Sequence, residues 1–453
     1  MTRNRIQEEH CAGGVRCAAV SDIGMRRASN QDALAISLGE GSLVHEAGDG
    51  PGLGHLFVVA DGMGAHAAGE LASKLATDTI PHSYSKRPGV TRVQALVDAV
   101  HDANQVIFTK GQDSVDFHGM GTTCSCLLML SGEAFAAHVG DSRVYRLREH
   151  VLEQLTFDHS LVWELAAAGD ATEEAVPAYV PKNVITRSLG PNATVRVDVE
   201  GPFPIQNNDC FLLCSDGLTG PLSNELIGIV MATLPADKAA QTLVDLANLL
   251  GGPDNITVIV AEVTDASRLD VKDATPLGIE NADTNGAVAS KIVSHTARSS
   301  SSCLDSKEEG EGQGWLHSLW NWLPWRDRRG QVEATSGSTG SSLPNDDRTN
   351  RGKKGGSHDG SPYRRYVCQP QAENVEVLSD IVKQLEDLED SRDWQFDWQE
   401  IRKNRHQAYQ AITRKEYDKA VVAYCSAVRR LMASLRKIEC KPTSDSDIGL
   451  GFS

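Results

Sequence analysis

Four short apolar runs in this chain each meet an aspartate at one end, and no other feature limits the fold as much. Leu56–Ala60 stops at Asp61-Gly62-Met63-Gly64, and Phe211–Cys214 stops at Ser215-Asp216-Gly217. Ala136–Val139 stops at Gly140-Asp141, while Asp254-Asn255 opens the run Ile256–Val263. Runs of Val, Leu, Phe and Cys bounded by Gly, Asp and Asn predict β-strands. A buried strand is rigid, so it holds its terminal carboxylate in place at a sheet edge. The adjoining glycines let backbone approach a ligand or turn sharply without a Cβ clash. One Asp-Gly alone is an ordinary turn. Four converging carboxylates are different, because unpaired they repel one another and burial drives them towards protonation. Divalent cations remove both problems, and an oxygen-only donor set favours Mg²⁺ or Mn²⁺ over Zn²⁺. Asp141 keeps a second reading, as the ion-pair partner of Arg143.

The surrounding pattern predicts an α+β sandwich. Further strands are expected at Thr122–Leu130 and Ala134–Val139, with short turns such as Ser131-Gly132 that imply antiparallel meanders. Apolar residues recurring at three and four predict helices at Ala67–Ile80, Val93–Thr109, Leu161–Ala168 and Ala236–Leu250. At 453 residues the chain exceeds one ordinary domain. Its net charge of −17 is concentrated in residues 1–265, which hold 17 basic and 33 acidic side chains. That balance argues against nucleic-acid binding, which needs basic surface, and suits a site that gathers carboxylates around cations. The ten cysteines lack metal-ligand spacing and read as reduced thiols, Cys124 and Cys126 among them. No apolar run approaches a bilayer span, and the opening residues lack a signal peptide's apolar stretch, so a cytoplasmic location is expected.

A fifth segment, Ser21-Asp22-Ile23-Gly24-Met25-Arg26-Arg27-Ala28-Ser29-Asn30-Gln31-Asp32, brings two arginines near the first strand. A guanidinium grips phosphate through paired hydrogen bonds, although an Arg pair is more often a solvated feature. In order and spacing, the segments over residues 15–265 resemble the metal-dependent protein phosphatase family of the protein phosphatase 2C type, in its bacterial form. The matching stretches include Asn30-Gln31-Asp32, Val59-Ala60-Asp61-Gly62-Met63-Gly64, Gly119-Met120-Gly121-Thr122-Thr123 and His138-Val139-Gly140-Asp141-Ser142-Arg143. They continue through Leu155-Thr156-Phe157-Asp158-His159-Ser160, Asn183-Val184-Ile185-Thr186-Arg187, Cys214-Ser215-Asp216-Gly217-Leu218 and Asp254-Asn255-Ile256-Thr257.

The resemblance implies a four-layer α-β-β-α sandwich of two antiparallel sheets flanked by helices, with a binuclear Mg²⁺ or Mn²⁺ site at one edge. By matching position, Asp61 bridges two metals, the Gly62 carbonyl ligates one, and Asp216 and Asp254 complete the other. Asp141 matches a weaker third metal site. Arg27 matches the phosphate-binding arginine, with Arg26 as fallback, and Asp32 orients water beside the metals. A flap spans about residues 161–183. Gln31 stands where many members carry Glu, Ala65 where Gly is common, and Met63 where animal members carry His; a thioether donates no proton, so the leaving group takes its proton elsewhere. The implied activity is hydrolysis of phosphoserine and phosphothreonine in proteins by a metal-activated water. The implied partners are phosphoprotein substrates, a Ser/Thr kinase or its targets. The alternatives are a phosphoprotein-binding scaffold and a phosphatase dedicated to one signalling regulator.

Beyond the matching region the composition changes. Residues 1–14 are expected to be a tail and 266–372 a linker, disordered over 331–362, where apolar residues are scarce. Four of the seven tryptophans lie in residues 314–325, a docking or membrane-interface patch or a flap on the catalytic domain. Residues 373–440 read as a helical hairpin resembling one tetratricopeptide repeat, followed by a tail at 441–453. In it Ala408, Ala420 and Ala427 would let helices approach while Tyr409, Tyr417 and Tyr424 fill the seam. A plain hairpin fits equally, since about three such repeats are needed for a stable array. This region is expected to bind a partner or set targeting, with small-substrate activity independent of it.

Overall fold

A computed structural model describes residues 5–39, 53–64, 67–87, 90–168, 176, 180–181, 184–269, 292–295, 363–389 and 398–439. The strands are β1 (Ile6–Ala12), β2 (Val15–Asp22), β3 (Asp32–Ser37), β4 (His55–Met63), β5 (Gly121–Thr122), β6 (Cys124–Leu130), β7 (Glu133–Val139), β8 (Arg143–Arg148), β9 (Val151–Gln154), β10 (Asp198–Pro204), β11 (Cys210–Cys214), β12 (Ile256–Val263), β13 (Ile292–His295) and β14 (Arg364–Val367). The helices are α1 (Ala68–Ser85), α2 (Arg92–Asp113), α3 (Leu161–Ala168), α4 (Asp216–Thr219), α5 (Asn224–Thr233), α6 (Ala236–Leu249), α7 (Ala372–Glu389), α8 (Trp398–Thr413) and α9 (Tyr417–Glu439). One antiparallel sheet runs β1-β2-β12-β11-β8-β9-β14. The other runs β10-β7-β6-β4-β3-β13, with β5 paired to β4.

Alternation along each strand explains the sandwich. Phe57 and Val59 of β4, Phe211 and Leu213 of β11, and Ile259 and Ala261 of β12 fill the space between the sheets. Their neighbours Leu56, Val58 and Ala60 face α1 and α2. On the other sheet Leu212, Val258 and Val260 face α5 and α6. A strand covered on both faces reads as a continuous apolar run instead of an alternating one, which is why these strands were conspicuous in the sequence. The expected two-sheet α+β architecture is present. Thr122–Leu130 divides at Thr123, whose N–H leaves the ladder to donate to the Asp61 carbonyl at 2.8 Å.

Three expectations are corrected. Residues 1–14 are not simply a tail, because β1 pairs with β2 through the whole register Ile6↔Ser21 to Ala12↔Val15. The two-residue turn between them is Gly13-Gly14, with φ of +52° and +81°, the doubly positive backbone that a tight hairpin demands. Residues 266–372 contribute two edge strands, β13 on β3 and β14 on β9. Residues 373–440 hold three helices, and Tyr409 is 67 % exposed, so it does not fill a seam, whereas Ala408, Ala420, Ala427 and Tyr424 are buried. The tryptophan-rich segment 314–325, the stretch 331–362, most of the flap beyond α3 and the tail 441–453 lie outside the described residues.

The C-terminal helices form a further layer. Val375, Leu378, Ile401, Ala420, Tyr424, Val428 and Leu431 belong to the same buried cluster as Ile229, Val230, Leu243 and Leu246 of α5 and α6. Cys368, following β14, sits directly on α5. A Cβ built at Gly228 would lie 2.2 Å from the Cys368 sulfur and 2.8 Å from its Cβ. Gly228→Ala therefore overpacks this seam, and urea unfolding should show a loss of about 1–3 kcal/mol.

Candidate metal centre

The site lies where β4 and β11 end beside the starts of β3 and β12. Asp61 is paired in register with Asp32 across β4 and β3. The main chain of Asp61 is saturated: its N–H donates to Thr123 Oγ1 at 2.9 Å, and its carbonyl accepts from Thr123 N–H and from Thr122 Oγ1 at 2.9 Å. Only the carboxyl group remains for other work. Gly62 is packed so closely that a Cβ would lie 2.1 Å from the Gly69 carbonyl oxygen, and its N–H donates to the Gln31 carbonyl at 3.1 Å.

Asp216 begins α4 directly after Ser215. Ser215 Oγ donates to Asp32 Oδ2 at 2.8 Å and accepts from Thr257 N–H at 2.9 Å, so it ties β11, β12 and Asp32 together. Asp254 precedes β12. Its Oδ1 accepts from the N–H of Asn255, and its Oδ2 accepts from Arg27 Nη2 at 2.6 Å. Asn255 in turn accepts from Gln31 N–H and donates to the carbonyls of Ile23 and Ser29, which fixes the loop carrying Arg27. The Arg27 side chain is 48 % exposed, so it is open to an incoming anion. Arg26 is exposed.

Asp141 follows β7. Arg143 grips Asp158 through Nε and Nη2 at 2.6–2.9 Å, so this guanidinium has a carboxylate partner other than Asp141. Behind Asp141, Ser142 Oγ hydrogen-bonds Thr123 Oγ1 at 2.7 Å. The N–H of Gly140 donates to His159 Nδ1 at 2.9 Å, which leaves Nε2 of the neutral ring to donate to Asp198 at 3.0 Å. Ser215, Asn255, Asp158 and His159 were not singled out from sequence. All four stand beside or within segments quoted above, but a small polar residue next to an aspartate carries no signal of its own.

The electrostatics describe a site short of positive charge. Burial pushes the Asp32 carboxyl up to about 7, although Ser215 and Thr257 hydrogen bonds oppose the shift. Burial and then Asp216 and Asp158 push Asp141 up to about 7. Asp61 is held well above the carboxylate range by burial and by Asp32, Asp216, Asp141 and Asp254 together. Asp216 is raised by burial and then by Asp254. One oxygen each of Asp32, Asp141 and Asp216 is buried with no hydrogen-bond partner. Orphaned hard oxygens in a crowded acidic pocket fit divalent cations, which supply the missing partners and the missing charge. Among the described residues no three acidic, His or Cys side chains stand together as a ready metal cluster.

Comparison with known proteins places this geometry in a family. Residues 26–250 match the model for "Protein phosphatase 2C". The chain is 36 % identical over 258 residues to the protein phosphatase PhpP of Streptococcus pneumoniae, spanning 54 % of this chain and 96 % of that one. It is 34 % identical to the crystal structure of the Mycobacterium tuberculosis serine/threonine phosphatase PstP/Ppp, covering 55 % of this chain and 99 % of that chain with a TM-score of 0.48. A crystal structure of the PstP catalytic domain in complex with two manganese ions is 34 % identical, with 55 % and 99 % coverage and a TM-score of 0.46. The chain belongs to the protein phosphatase 2C family.

A carboxyl whose folded pKa exceeds its unfolded value takes up protons on folding, so its contribution to stability falls as pH rises between the two values. For Asp32 and Asp141 that window runs from about 4 to about 7. Without cations, Asp61→Asn should therefore unfold at a higher temperature than wild type, by a margin that grows from about pH 5 to about pH 8. Added Mn²⁺ should reverse the order at the higher pH. Differential scanning calorimetry in EDTA and in Mn²⁺ checks both, and a pH-independent margin would count against the crowded-carboxylate description.

Proposed function

We propose that this chain is a metal-dependent protein serine/threonine phosphatase that hydrolyses phosphoserine and phosphothreonine. The observation that carries the reading is the set of crowded, partly unpartnered carboxylates at converging strand ends, in a member of the protein phosphatase 2C family. Asp61 and the Gly62 carbonyl would hold one cation, with Asp61 shared by a second that Asp216 and Asp254 complete. Asp141 would serve a weaker third. Mg²⁺ or Mn²⁺ bound there supplies Lewis acidity, which activates water and offsets charge on phosphoryl oxygens.

The chain's own residues do the rest. Arg27 binds the substrate phosphate, exchanging part of its contact with Asp254 for the incoming oxygens. Asp32, fixed by Ser215, orients water beside the carboxylates. Thr122 and Thr123 lock the Asp61 backbone so that its carboxyl cannot swing away, a preorganisation that costs nothing at the moment of reaction. Met63, at the end of β4, has no proton to give, so the leaving alkoxide takes its proton from water. Substrates are phosphoproteins, including targets of a Ser/Thr kinase, and the free cysteines, buried except for Cys11 among those described, accord with a reducing, cytoplasmic setting. Among the described residues no helix is long and apolar enough to cross a membrane. The antiparallel pair α8 and α9, with small Ala408, Ala420 and Ala427 in its seam, is the part that would act as a tetratricopeptide-like unit for a protein partner.

The test is release of phosphate from a phosphothreonine peptide and from para-nitrophenyl phosphate. Both activities should require Mn²⁺ or Mg²⁺ and vanish in EDTA. Asp61→Asn or Asp216→Asn should lower kcat on the order of 10²–10³-fold or more while the protein stays folded. Arg27→Ala should act mainly on KM for the phosphorylated substrate. Wild-type turnover in either aspartate variant would overturn the assignment.

A further inference from the structure

The family match ends at residue 250, yet α9, the last helix among the described residues, reaches the back of the candidate site. It packs on α5 and α6 and places Arg436 Nη2 2.5 Å from Asp245 Oδ1 and 3.8 Å from Asp22 Oδ2. Both carboxylates are almost wholly covered, with side chains 3 % and 2 % exposed. Arg5, before β1, also reaches Asp245 at 2.8 Å.

Asp22 is the root of two loops. It ends β2, opposite Ile256 of β12, and its Oδ1 accepts from Gly24 N–H at 3.0 Å and from Asn248 Nδ2 at 3.1 Å. Gly24 has φ of +78° and lies so close to the Asp254 carbonyl that a Cβ would stand 2.0 Å from its oxygen. Met25 N–H donates to the Gly252 carbonyl at 2.8 Å. One loop carries Arg27 and the other carries Asp254, and these two side chains meet at 2.6 Å. Arg436 thus sits one residue behind the contacts that hold the phosphate-binding arginine against a metal-binding aspartate. Removing Arg436 would leave Asp245 with Arg5 but would take from the covered Asp22 the cation 3.8 Å away, and a buried charge that loses its cation drives the structure to shift and rehydrate it.

We propose that Arg436 is a positioning residue for the phosphatase site, holding Asp22 and Asp245 so that the Arg27 and Asp254 loops keep their register; this rests on the phosphatase reading above. The C-terminal helices then form part of the active unit, and the expectation that small-substrate activity is independent of them gives way. A partner that pulled α9 from α6 would lower activity without touching the site.

The experiment uses the full chain with para-nitrophenyl phosphate, measuring KM, kcat and the Mn²⁺ concentration for half-maximal activity, alongside thermal unfolding. Arg436→Ala should raise KM and the Mn²⁺ requirement on the order of tenfold, as losses in the shell behind a metal site do. Arg436→Lys should recover most of the loss. Arg430→Ala, on the same helix as Arg436, removes a half-exposed partner of Glu400 of α8 and should change each value by less than about twofold. A folded Arg436→Ala protein with a lowered unfolding temperature but unchanged KM and Mn²⁺ requirement would show a purely structural pair and overturn the proposal. If that variant does not fold, Arg436→Gln, which keeps the stem and a donor, is read in the same way; failure of both to fold also overturns it. An inactive wild type would overturn the phosphatase reading and this proposal together, whereas an active wild type with indifferent Arg436 variants overturns this one alone.

Discussion

Negative charge crowded at the meeting edge of two sheets governs how this molecule is built. Asp32, Asp61, Asp141 and Asp216 all sit above the ordinary carboxylate range, each with burial as the largest cause. A protein needing only stability would place lysines among them. Here the groups that hold the carboxylates are mostly neutral: Ser215 on Asp32, Thr122 and Thr123 on the Asp61 backbone, Asn255 on the loops beside Asp254. Neutral donors fix position without cancelling charge, so the attraction for divalent cations is preserved. Arg27 is a cation seen directly on a candidate ligand, Asp254, and its half-exposed side chain would be free to trade that contact for a phosphate. The crowding that makes these carboxylates unfavourable on their own would favour hard divalent cations among them.

Much of this was legible because of burial on both faces. Strands β4, β11 and β12 stand between the inter-sheet core and a helical layer, so nearly every residue is apolar and the aspartate that ends the run is conspicuous. Strands that lie at edges carry no such signal. β1 is largely polar, with Gln7, Glu8, Glu9 and His10, and only the Gly13-Gly14 turn marks it as half of a hairpin. β10 exposes Val199 and Pro202 and contains Gly201, which reads as loop. β14 depends on pairing with β9 more than 200 residues earlier in the chain, a relation that no local pattern contains.

The site divides in the same way. Its aspartates announce themselves by their places at strand ends, and the family resemblance carries their proposed roles. The residues that hold them do not, since Ser215, Asn255 and His159 act through hydrogen bonds to segments far off in sequence. Asp141 illustrates the limit. Sequence left it between a metal ligand and a partner for the nearby Arg143. Folding brings Asp158 to that arginine with bidentate geometry, while one Asp141 oxygen stays buried without a partner.

Charge also bears on why the C-terminal helices lie where they do. Residues 1–265 carry nearly all of the net negative charge, whereas the remainder is close to balanced. Two arginines of α9, Arg429 and Arg436, are directed at α6, where they meet Thr242 and Asp245. Apolar burial between α9 and the α5–α6 surface brings the layers together, but such burial is indifferent to small rotations and slides. Buried ion pairs are not, because a charge displaced from its partner in a poorly solvated seam loses the interaction that compensated its desolvation. The apolar contacts therefore supply adhesion, and Arg436 between Asp22 and Asp245 supplies register. Asp22 also caps the loop leading to Arg27, so a register set at the back of the domain is carried to its catalytic edge.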